Sequence, residues 1–399
     1  MGKLMKILWV KSDFLHPTTR GGQIRTLEML RCLHRRHEVH YVAFRAPGET
    51  EGVARSSEYS TRAYPIDFQL PAKTSTKFYA QLLGGLLDSV PLAVSRFRSA
   101  AMRHTLAEVL SATRFDHVIC DFLVPAVNLP SMQGVVLFQH NVETMIWRRR
   151  VEHARNPLER AYLKIQSGRM FRYEREICRT AGRVIAVSPL DSATMQKLFG
   201  LQQVPDVPTG VNLEYFHRPP ECRPQADLVF VGSMDWMPNV DGILYFVHEI
   251  LPLIRKQRPE TTLAIVGRDP SSAILQLAER DPLISVTGTV PDVRPYLWGS
   301  TVSIVPLRIG GGTRLKIYEA MAARTATVST RVGAEGIAAE HPVSIRLADE
   351  PAEFATECLA LLEDANARGA VADSAWKMVD ENYSWERVAR QFEAILERP

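Results

Sequence analysis

Short apolar runs rich in β-branched residues alternate with longer amphipathic stretches along most of the chain. The short runs predict β-strands and the amphipathic stretches predict helices, and their alternation is typical of βαβ units with parallel sheets. The predicted strands are residues 7–10, 39–44, 118–120, 135–138 and 184–187 in the first half, and 228–231, 263–266, 302–305 and 326–329 in the second. The pattern therefore predicts an α/β protein with one parallel sheet in each half.

A proline-rich segment separates the two halves. Residues 217–225 contain three prolines in nine positions, which suits neither a helix nor a central strand. We expect a Rossmann-like domain over residues 1–215 and a second over 216–384, with a helix at about 385–399 that packs back on the first. Two such sheets facing each other leave a cleft lined by the carboxyl ends of their strands, where α/β folds bind ligands.

Composition narrows the class of protein. The 399 residues are 46% hydrophobic and 23% charged, as in an ordinary soluble globular protein. The five cysteines are scattered and form no Cys-x-x-Cys pair, which argues against a disulfide framework or a zinc site and favours a reducing, cytoplasmic setting. The first eleven residues hold too short an apolar core for a signal peptide, and no run is long enough for a transmembrane helix.

The net charge of +4 hides an asymmetry. Residues 1–220 carry 30 Lys and Arg against 19 Asp and Glu, a net +11, whereas the remainder carries a net −7. A basic half indicates an anionic partner, and the segment 147–155 with Arg169, Arg172 and Arg175 supplies much of the charge. With the apolar stretch 78–94, these residues predict loose attachment to the anionic inner membrane. The alternative is a soluble enzyme with basic helix surfaces; no nucleic-acid-binding module is present, so no nucleic acid is expected.

Two glycine loops carry the candidate chemistry. In the first, Gly21 and Gly22 open a helix after the strand at 7–10, where backbone N–H groups can approach an anion without a Cβ in the way. The loop is not Gly-x-Gly-x-x-Gly, and no acidic residue ends the strand at 39–44 to hold an adenosine ribose. A dinucleotide site is therefore disfavoured, and a simple turn is the alternative.

The second loop follows the strand at 302–305 and is more specific. Thr313 is a candidate N-cap, which puts Arg314 and Lys316 in the first helical turn, where the macrodipole disfavours cations. An anion such as a diphosphate, held by glycine amides and both cations, removes the mismatch. Glu319 lies three residues after Lys316, so both side chains are on the same side of the helix. This spacing suits a nucleotide whose phosphate is bound by Lys316 and whose ribose hydroxyls are bound by Glu319. The alternative is an exposed Lys316–Glu319 pair.

Several pieces occur in the order and spacing of a known family. They are Gly21-Gly22, His140-Asn-Val-Glu143, Val187-Ser188, Pro208-Thr-Gly-Val-Asn212, Val231-Gly-Ser233, Val266-Gly267, Gly288-Thr-Val-Pro-Asp292 and Glu319-Ala-Met-Ala322. Over nearly its whole length the chain resembles the retaining GT-B glycosyltransferases often called family 4. The segment 232–242 and the glycines at 310–312 are similar to those of a bacterial subgroup that builds surface polysaccharides.

The resemblance implies a GT-B fold, an acceptor site in the first domain and a sugar-nucleotide site in the second. It implies that Glu319 grips the ribose. It also implies that His140 lies at the donor sugar as the catalytic residue, where it would orient the sugar or donate a hydrogen bond; the alternative is a buried histidine that caps a turn. The other donor-side candidates are Gly22, Gly232, Ser233, Val290, Gly311, Gly312, Thr313, Arg314 and Lys316, and the acceptor-side candidates are Asp13, Gly21 and Glu143.

The chain departs from the family pattern in two places. Gly311 stands where the first acid of a paired-glutamate motif is usual, and Ser233 and Asp241 lie where an arginine and a lysine are usual. We expect Arg314 and Lys316 to take over the diphosphate charge. The missing acid leaves open a non-catalytic sugar-nucleotide-binding protein, and a sugar-nucleotide epimerase of the same fold is a further alternative.

The expected reaction moves a sugar from a nucleotide to a saccharide or lipid-linked acceptor. No two aspartates are spaced Asp-x-Asp, so no metal is expected, and cationic side chains and helix N-termini would stabilise the leaving diphosphate. No resident cofactor is expected, since the nucleotide-sugar is a substrate. No carboxylate is a clear covalent nucleophile, and the resemblance implies retention with the leaving phosphate helping to deprotonate the acceptor.

Overall fold

The structure, a computed structural model, describes residues 4–18, 21–71, 75–76, 85, 88–152, 154, 156–309 and 315–398. The chain divides into two compact units. The first unit is Met1–Pro208 with Ala389–Pro399, and the second is Thr209–Val388.

The first unit is built on a six-stranded parallel sheet in the order β3-β2-β1-β4-β5-β6. Its strands are β1 (Lys6–Val10), β2 (Glu38–Arg45), β3 (Arg62–Asp67), β4 (His117–Asp121), β5 (Val135–Phe138) and β6 (Arg183–Ile185). Its helices are α1 (Gly21–His34), α2 (Glu51–Ala54), α3 (Leu92–Ser95), α4 (Ala100–Ala112), α5 (Glu143–Glu152), α6 (Pro157–Thr180) and α7 (Pro189–Phe199), with 3₁₀ turns at Ser56–Glu58 and Val124–Asn128.

The second unit holds a six-stranded parallel sheet in the order β12-β11-β10-β7-β8-β9. Its strands are β7 (Ala226–Val231), β8 (Leu263–Val266), β9 (Ile284–Val286), β10 (Ser300–Val305), β11 (Ala326–Ser329) and β12 (Arg346–Leu347). Its helices are α8 (Leu213–Phe216), α9 (Met237–Tyr245) continued by a π-turn at Phe246–Ile250, α10 (Leu251–Arg255), α11 (Ser272–Arg280), α12 (Arg294–Gly299), α13 (Leu315–Ala322), α14 (Pro351–Glu363) and α15 (Ala365–Tyr383).

The last helix, α16 (Trp385–Glu397), begins in the second unit and ends in the first. Its buried Phe392 lies 5.7 Å from the ring of Trp9 and 5.2 Å from that of Phe138, between centroids. Such aromatic contacts, together with the burial of the central strands, make up the core of the first unit.

Both sheets have the same strand order when it is counted from the first strand of each unit. In each, the order reverses between the first and fourth strands, which are β1 and β4 in the first unit and β7 and β10 in the second. Doubly wound sheets bind ligands beyond the carboxyl ends of the strands at this switch point. Ligand sites are therefore expected at these two edges.

The structure confirms the predicted α/β class with one parallel sheet in each half. Each of the nine predicted strands has a counterpart, although the strand predicted at 184–187 ends at Ile185, after which Ala186 forms only a bridge with Asp206. Strands β3, β9 and β12 were not predicted. Most of the apolar stretch predicted at 78–94 lies outside the described residues.

Candidate functional site

A buried carboxylate occupies the switch point of the first unit. Asp121 ends β4 and is fully buried, and its Oδ2 accepts hydrogen bonds from Trp9 Nε1 at 2.9 Å, Lys11 Nζ at 3.1 Å and Thr26 Oγ1 at 2.6 Å. Burial alone would raise the pKa of Asp121, but the charge of Lys11 and contact with His140 outweigh it and hold the pKa well below its ordinary value. Asp121 is therefore an ionised carboxylate held in the interior of the first unit.

His140 lies two residues beyond β5, beside the carboxylate of Asp121. Its Nε2 is 2.8 Å from Oδ1 of Asp121, although the N–H direction is too bent for a linear hydrogen bond. The ring packs against Phe122 at 4.1 Å and Phe138 at 4.7 Å between centroids. Burial lowers the pKa of His140 to about 4 despite the opposing charge of Asp121, so the imidazole is neutral at pH 7.

The glycine turn of α1 lies against His140. A Cβ on Gly22 would be 3.3 Å from the Phe122 ring and 4.0 Å from His140 Nδ1. Phe122 itself has a φ of 74°, a left-handed conformation that costs a non-glycine residue roughly 1–3 kcal/mol. The strained backbone of Phe122 and the side-chain-free Gly22 therefore both lie beside the imidazole of His140.

The acceptor-side candidates lie at the same carboxyl edge. Gly21 begins α1 and is exposed, and Asp13 Oδ2 accepts a hydrogen bond of 3.0 Å from Gln23 Nε2. Glu143 begins α5 and is half-buried, and burial raises its pKa while Arg150 opposes the shift.

Glu174 on α6 fixes the turn that carries His140. Its Oε1 accepts from Gln139 Nε2 at 3.1 Å and from the amide of Glu143 at 2.9 Å. Its Oε2 accepts from the amide and the hydroxyl of Thr144 at 2.7 and 2.6 Å. Burial raises the pKa of Glu174 to about 7 although these hydrogen bonds lower it. The carboxylate of Glu174 therefore caps the first turn of α5, which begins three residues after His140.

The switch point of the second unit holds a lysine over a glycine. Gly232 follows β7, and a Cβ there would be only 2.8 Å from both Lys316 Nζ and Asn239 Nδ2. Lys316 Nζ donates a 2.6 Å hydrogen bond to Asn239 Oδ1 and lies 4.4 Å from the centroid of the Phe230 ring. The ammonium can occupy this position only because residue 232 has no side chain.

Neighbouring loops complete this edge. Ser233 Oγ accepts from Arg268 Nε at 2.8 Å and donates to Asp235 Oδ1 at 2.6 Å. The ideal Cβ on Gly267, whose φ is 159°, would fall 1.8 Å from the carbonyl oxygen of Gly232, so two backbones approach as closely as glycine allows.

Lys316 and Glu319 lie in the first turns of α13. Glu319 is half-buried, and burial raises its pKa to about 7 while Lys316 lowers it. Val290 is half-buried against the core of the unit. Gly311, Gly312, Thr313 and Arg314 lie outside the described residues, so the roles predicted for them stay predictions.

Several residues of these sites were not predicted from sequence. They are Asp121, Lys11, Asn239 and Glu174. For Asp121 and Lys11 the sequence did hold a usable signal, because each is a charged residue at the carboxyl end of a buried strand, where ligands of such sheets bind. Asn239 and Glu174 lie within helices, and only the folded arrangement brings them to the sites.

Two features are absent from the described part of the chain. It contains no group of three or more His, Cys, Asp or Glu side chains placed to hold a metal ion. It also contains no helix with the length and apolar character needed to cross a membrane.

Comparisons with known proteins agree with this fold. Residues 19–215 match the family described as Glycosyltransferase Family 4, and residues 225–364 match the one described as Glycosyl transferases group 1. An uncharacterised 44.6 kDa protein in the cps region of Klebsiella pneumoniae is 20% identical over 409 residues, covering 96% of this chain and 98% of that protein.

Two solved structures are similar over almost the whole chain. HepE from Anabaena, solved in complex with UDP, has a TM-score of 0.67 at 14% identity and covers 98% of this chain and 99% of its own. WaaG, a glycosyltransferase involved in lipopolysaccharide biosynthesis, has a TM-score of 0.65 at 15% identity and covers 98% of this chain and 100% of its own. Since the two family matches fall on the two halves of one GT-B fold, the chain belongs to the GT-B glycosyltransferases, with a family 4 domain followed by a group 1 domain.

Proposed function

We propose that the protein transfers a sugar from a nucleotide-sugar donor to a saccharide or lipid-linked acceptor, with retention of the anomeric configuration, in the synthesis of cell-surface polysaccharide. The K. pneumoniae relative lies in a cps region and WaaG takes part in lipopolysaccharide biosynthesis, which supports this choice of product. HepE has been solved with UDP and with UDP-glucose, which makes uridine nucleotides the first donors to test.

The observation that carries the proposal is the position of Lys316. Its ammonium lies over Gly232 at the switch point of the second unit, held by Asn239, in the first turn of a helix where a cation is otherwise disfavoured. A diphosphate bound at this edge pairs its negative charge with the ammonium. Glu319, one turn further on, is the acceptor for the ribose hydroxyls.

The chemistry then needs positive charge at the leaving group. We assign this role to Lys316 and Arg314, which stabilise the departing diphosphate without a metal ion. We assign the contact with the sugar of the same donor to His140, as the resemblance to family 4 implies. Asp121 is fully buried and committed to other side chains, so it is not the nucleophile of a covalent double displacement. Retention by reaction on one face, with the leaving phosphate accepting the acceptor's proton, fits these residues.

The test is calorimetric titration with UDP of the whole protein and of Lys316→Met. We expect the variant to bind UDP roughly tenfold to hundredfold more weakly, because one charge-assisted contact to phosphate is lost. Lys377→Met is the matched control, since Lys377 is an exposed helical lysine in the same unit. Equal UDP affinity in both variants would contradict the proposed donor site.

Turnover separates the remaining alternatives. Release of UDP from UDP-glucose that depends on an added saccharide or lipid-linked acceptor is expected of a transferase. An epimerase would convert the sugar without acceptor, and a non-catalytic binding protein would bind UDP and never release it from UDP-glucose.

We also propose that α5 and α6 rest on an anionic membrane. Arg148 and Arg175 are exposed, and both guanidinium groups lie 5.6 Å from the Phe171 ring centroid. Earlier in α6, Leu158 and Ile165 are 82% and 49% exposed, so the two helices present both apolar and basic side chains to solvent. This combination suits the interface of an anionic bilayer.

Cosedimentation with phosphatidylglycerol vesicles at low and high salt tests the membrane surface. We expect binding at low salt that salt reverses, and weaker binding of the double variant Arg148→Ser/Arg175→Ser. Arg331→Ser, which removes an exposed arginine of the second unit, is the control. No sedimentation at low salt would refute the attachment.

A further inference from the structure

The buried cluster around Asp121 restricts what His140 can do. A carboxylate oxygen carries only lone pairs, so a histidine nitrogen 2.8 Å away must present its proton to that oxygen or be repelled by it. The contact involves Nε2. Although its N–H direction is bent away from Oδ1, an unprotonated Nε2 would bring a second lone pair against the carboxylate and be repelled by it.

Asp121 cannot easily move or take up a proton to relieve this requirement. Its other oxygen is held by Trp9, Lys11 and Thr26, from β1, the residue after β1 and α1. Lys11 and Asp121 are both buried, and the ammonium also lies 4.7 Å from the Phe122 ring centroid. The carboxylate is thus ionised and is held from β1, from the residue that follows β1 and from α1.

The other imidazole nitrogen has no carboxylate beside it. Among the described residues, neither nitrogen of His140 makes a hydrogen bond of ordinary geometry, but Nε2 lies against Asp121 whereas Nδ1 is buried and faces the turn at Gly22. A buried nitrogen without a partner is costly, and such groups occur where a ligand supplies the missing contact. The nearest charged groups are Asp121 on β4, Lys11 after β1 and Arg25 on α1, and both cations oppose a proton on Nδ1.

We infer that Asp121 is a positioning residue that holds His140 as the neutral Nε2–H tautomer, so that Nδ1 is a hydrogen-bond acceptor for a hydroxyl of the sugar. The inference rests on the proposed function only for the identity of the ligand. It defines the substrate class more narrowly: the group at Nδ1 must donate a hydrogen bond, so a sugar with a free hydroxyl at that position is bound, and one with a carbonyl or ether oxygen at that position is not.

The tautomer is measured on the ligand-free protein. Two-bond ¹H–¹⁵N correlation spectra of ¹⁵N-histidine-labelled protein distinguish the Nε2–H from the Nδ1–H form of each imidazole, and His140→Gln identifies the signals of His140. We expect a single Nε2–H form that stays neutral from pH 8 to pH 5. His104→Gln assigns a control histidine that is largely exposed on α4 and should average between the two neutral tautomers.

Asp121→Asn is the matching perturbation. We expect His140 to lose its single tautomer in this variant, and kcat/KM for sugar transfer to fall roughly tenfold or more because Nδ1 no longer presents a lone pair. If the variant does not fold, Thr26→Val removes one hydrogen bond to Asp121 and should shift the tautomer population in part.

The outcomes are distinguishable from failure of the proposed function. An Nδ1–H or protonated His140 in the native protein at pH 7 overturns the inference whether or not UDP binds. An Nε2–H form together with loss of the tautomer in Asp121→Asn supports it even if UDP-glucose proves to be the wrong donor.

Discussion

Glu174 provides a direct test of how the turn carrying His140 is held. Each of its two carboxylate oxygens accepts a hydrogen bond from one main-chain amide in the first turn of α5, those of Glu143 and Thr144. Replacing the carboxylate by the nearly isosteric amide of Gln converts one oxygen into an NH₂ group. Whichever way the new amide is turned, one of the two main-chain N–H groups loses its acceptor.

The magnitude follows from this count. An unsatisfied buried donor costs about 1–3 kcal/mol. Burial raises the pKa of Glu174 to about 7, so part of the native carboxylate's charge is itself a cost that the variant removes. We therefore expect Glu174→Gln to lower the free energy of unfolding by about 1–2 kcal/mol, which for a unit of this size lowers Tm by about 2–8 °C.

Thermal unfolding followed by circular dichroism measures this loss. The control is Glu176→Gln, which makes the same change at an exposed position two residues along α6. If the two variants unfold at the same temperature, Glu174 does not cap α5 and the account of the His140 turn is wrong.

Three further predictions concern the two switch points. Gly232→Ala places a methyl group 2.8 Å from the unmoved Lys316 Nζ, so we expect UDP affinity measured by calorimetry to fall roughly tenfold or more, and unchanged affinity would contradict the site. Burial raises the pKa of Glu319 to about 7, and donors from ribose favour its charged form, so UDP binding at pH 6 should release a proton. Calorimetry in buffers of different ionisation enthalpy should show less release for Glu319→Gln, and equal release would exclude the contact. Lys11→Met leaves the charge of Asp121 buried without its ammonium and should cost about 3–5 kcal/mol in urea unfolding, whereas a loss below about 1 kcal/mol would show that the pair does not matter.

The strands that sequence missed share a physical cause. β3, β9 and β12 all lie at sheet edges, where one side of the strand is unpaired and more of the surface is exposed. Central parallel strands are buried on both faces and read as continuous apolar runs. Of the four edge strands only β6, with its apolar run at 184–187, does so, and it is the one edge strand that was predicted. Pro65 within β3 hides it further, since a proline is tolerated only at such an edge.

The residues of the candidate site also fall into two groups, those that a local sequence pattern reveals and those that only the fold brings together. Local patterns are visible in the sequence. They include the glycines that open α1, the glycines that precede α13 and the lysine placed against the macrodipole at position 316. Asp121 and Lys11 are 110 residues apart and become neighbours only because β1 pairs with β4. No local pattern carries that information, because it depends on the order of strands in the sheet.

The central claim is that a nucleotide diphosphate binds at the carboxyl edge of β7 and β10. A crystal structure of the protein with UDP bound tests it most directly. The account predicts the diphosphate within hydrogen-bonding distance of Lys316 Nζ and the ribose hydroxyls on the carboxylate of Glu319. Well-defined UDP elsewhere, with this edge unoccupied, would contradict it.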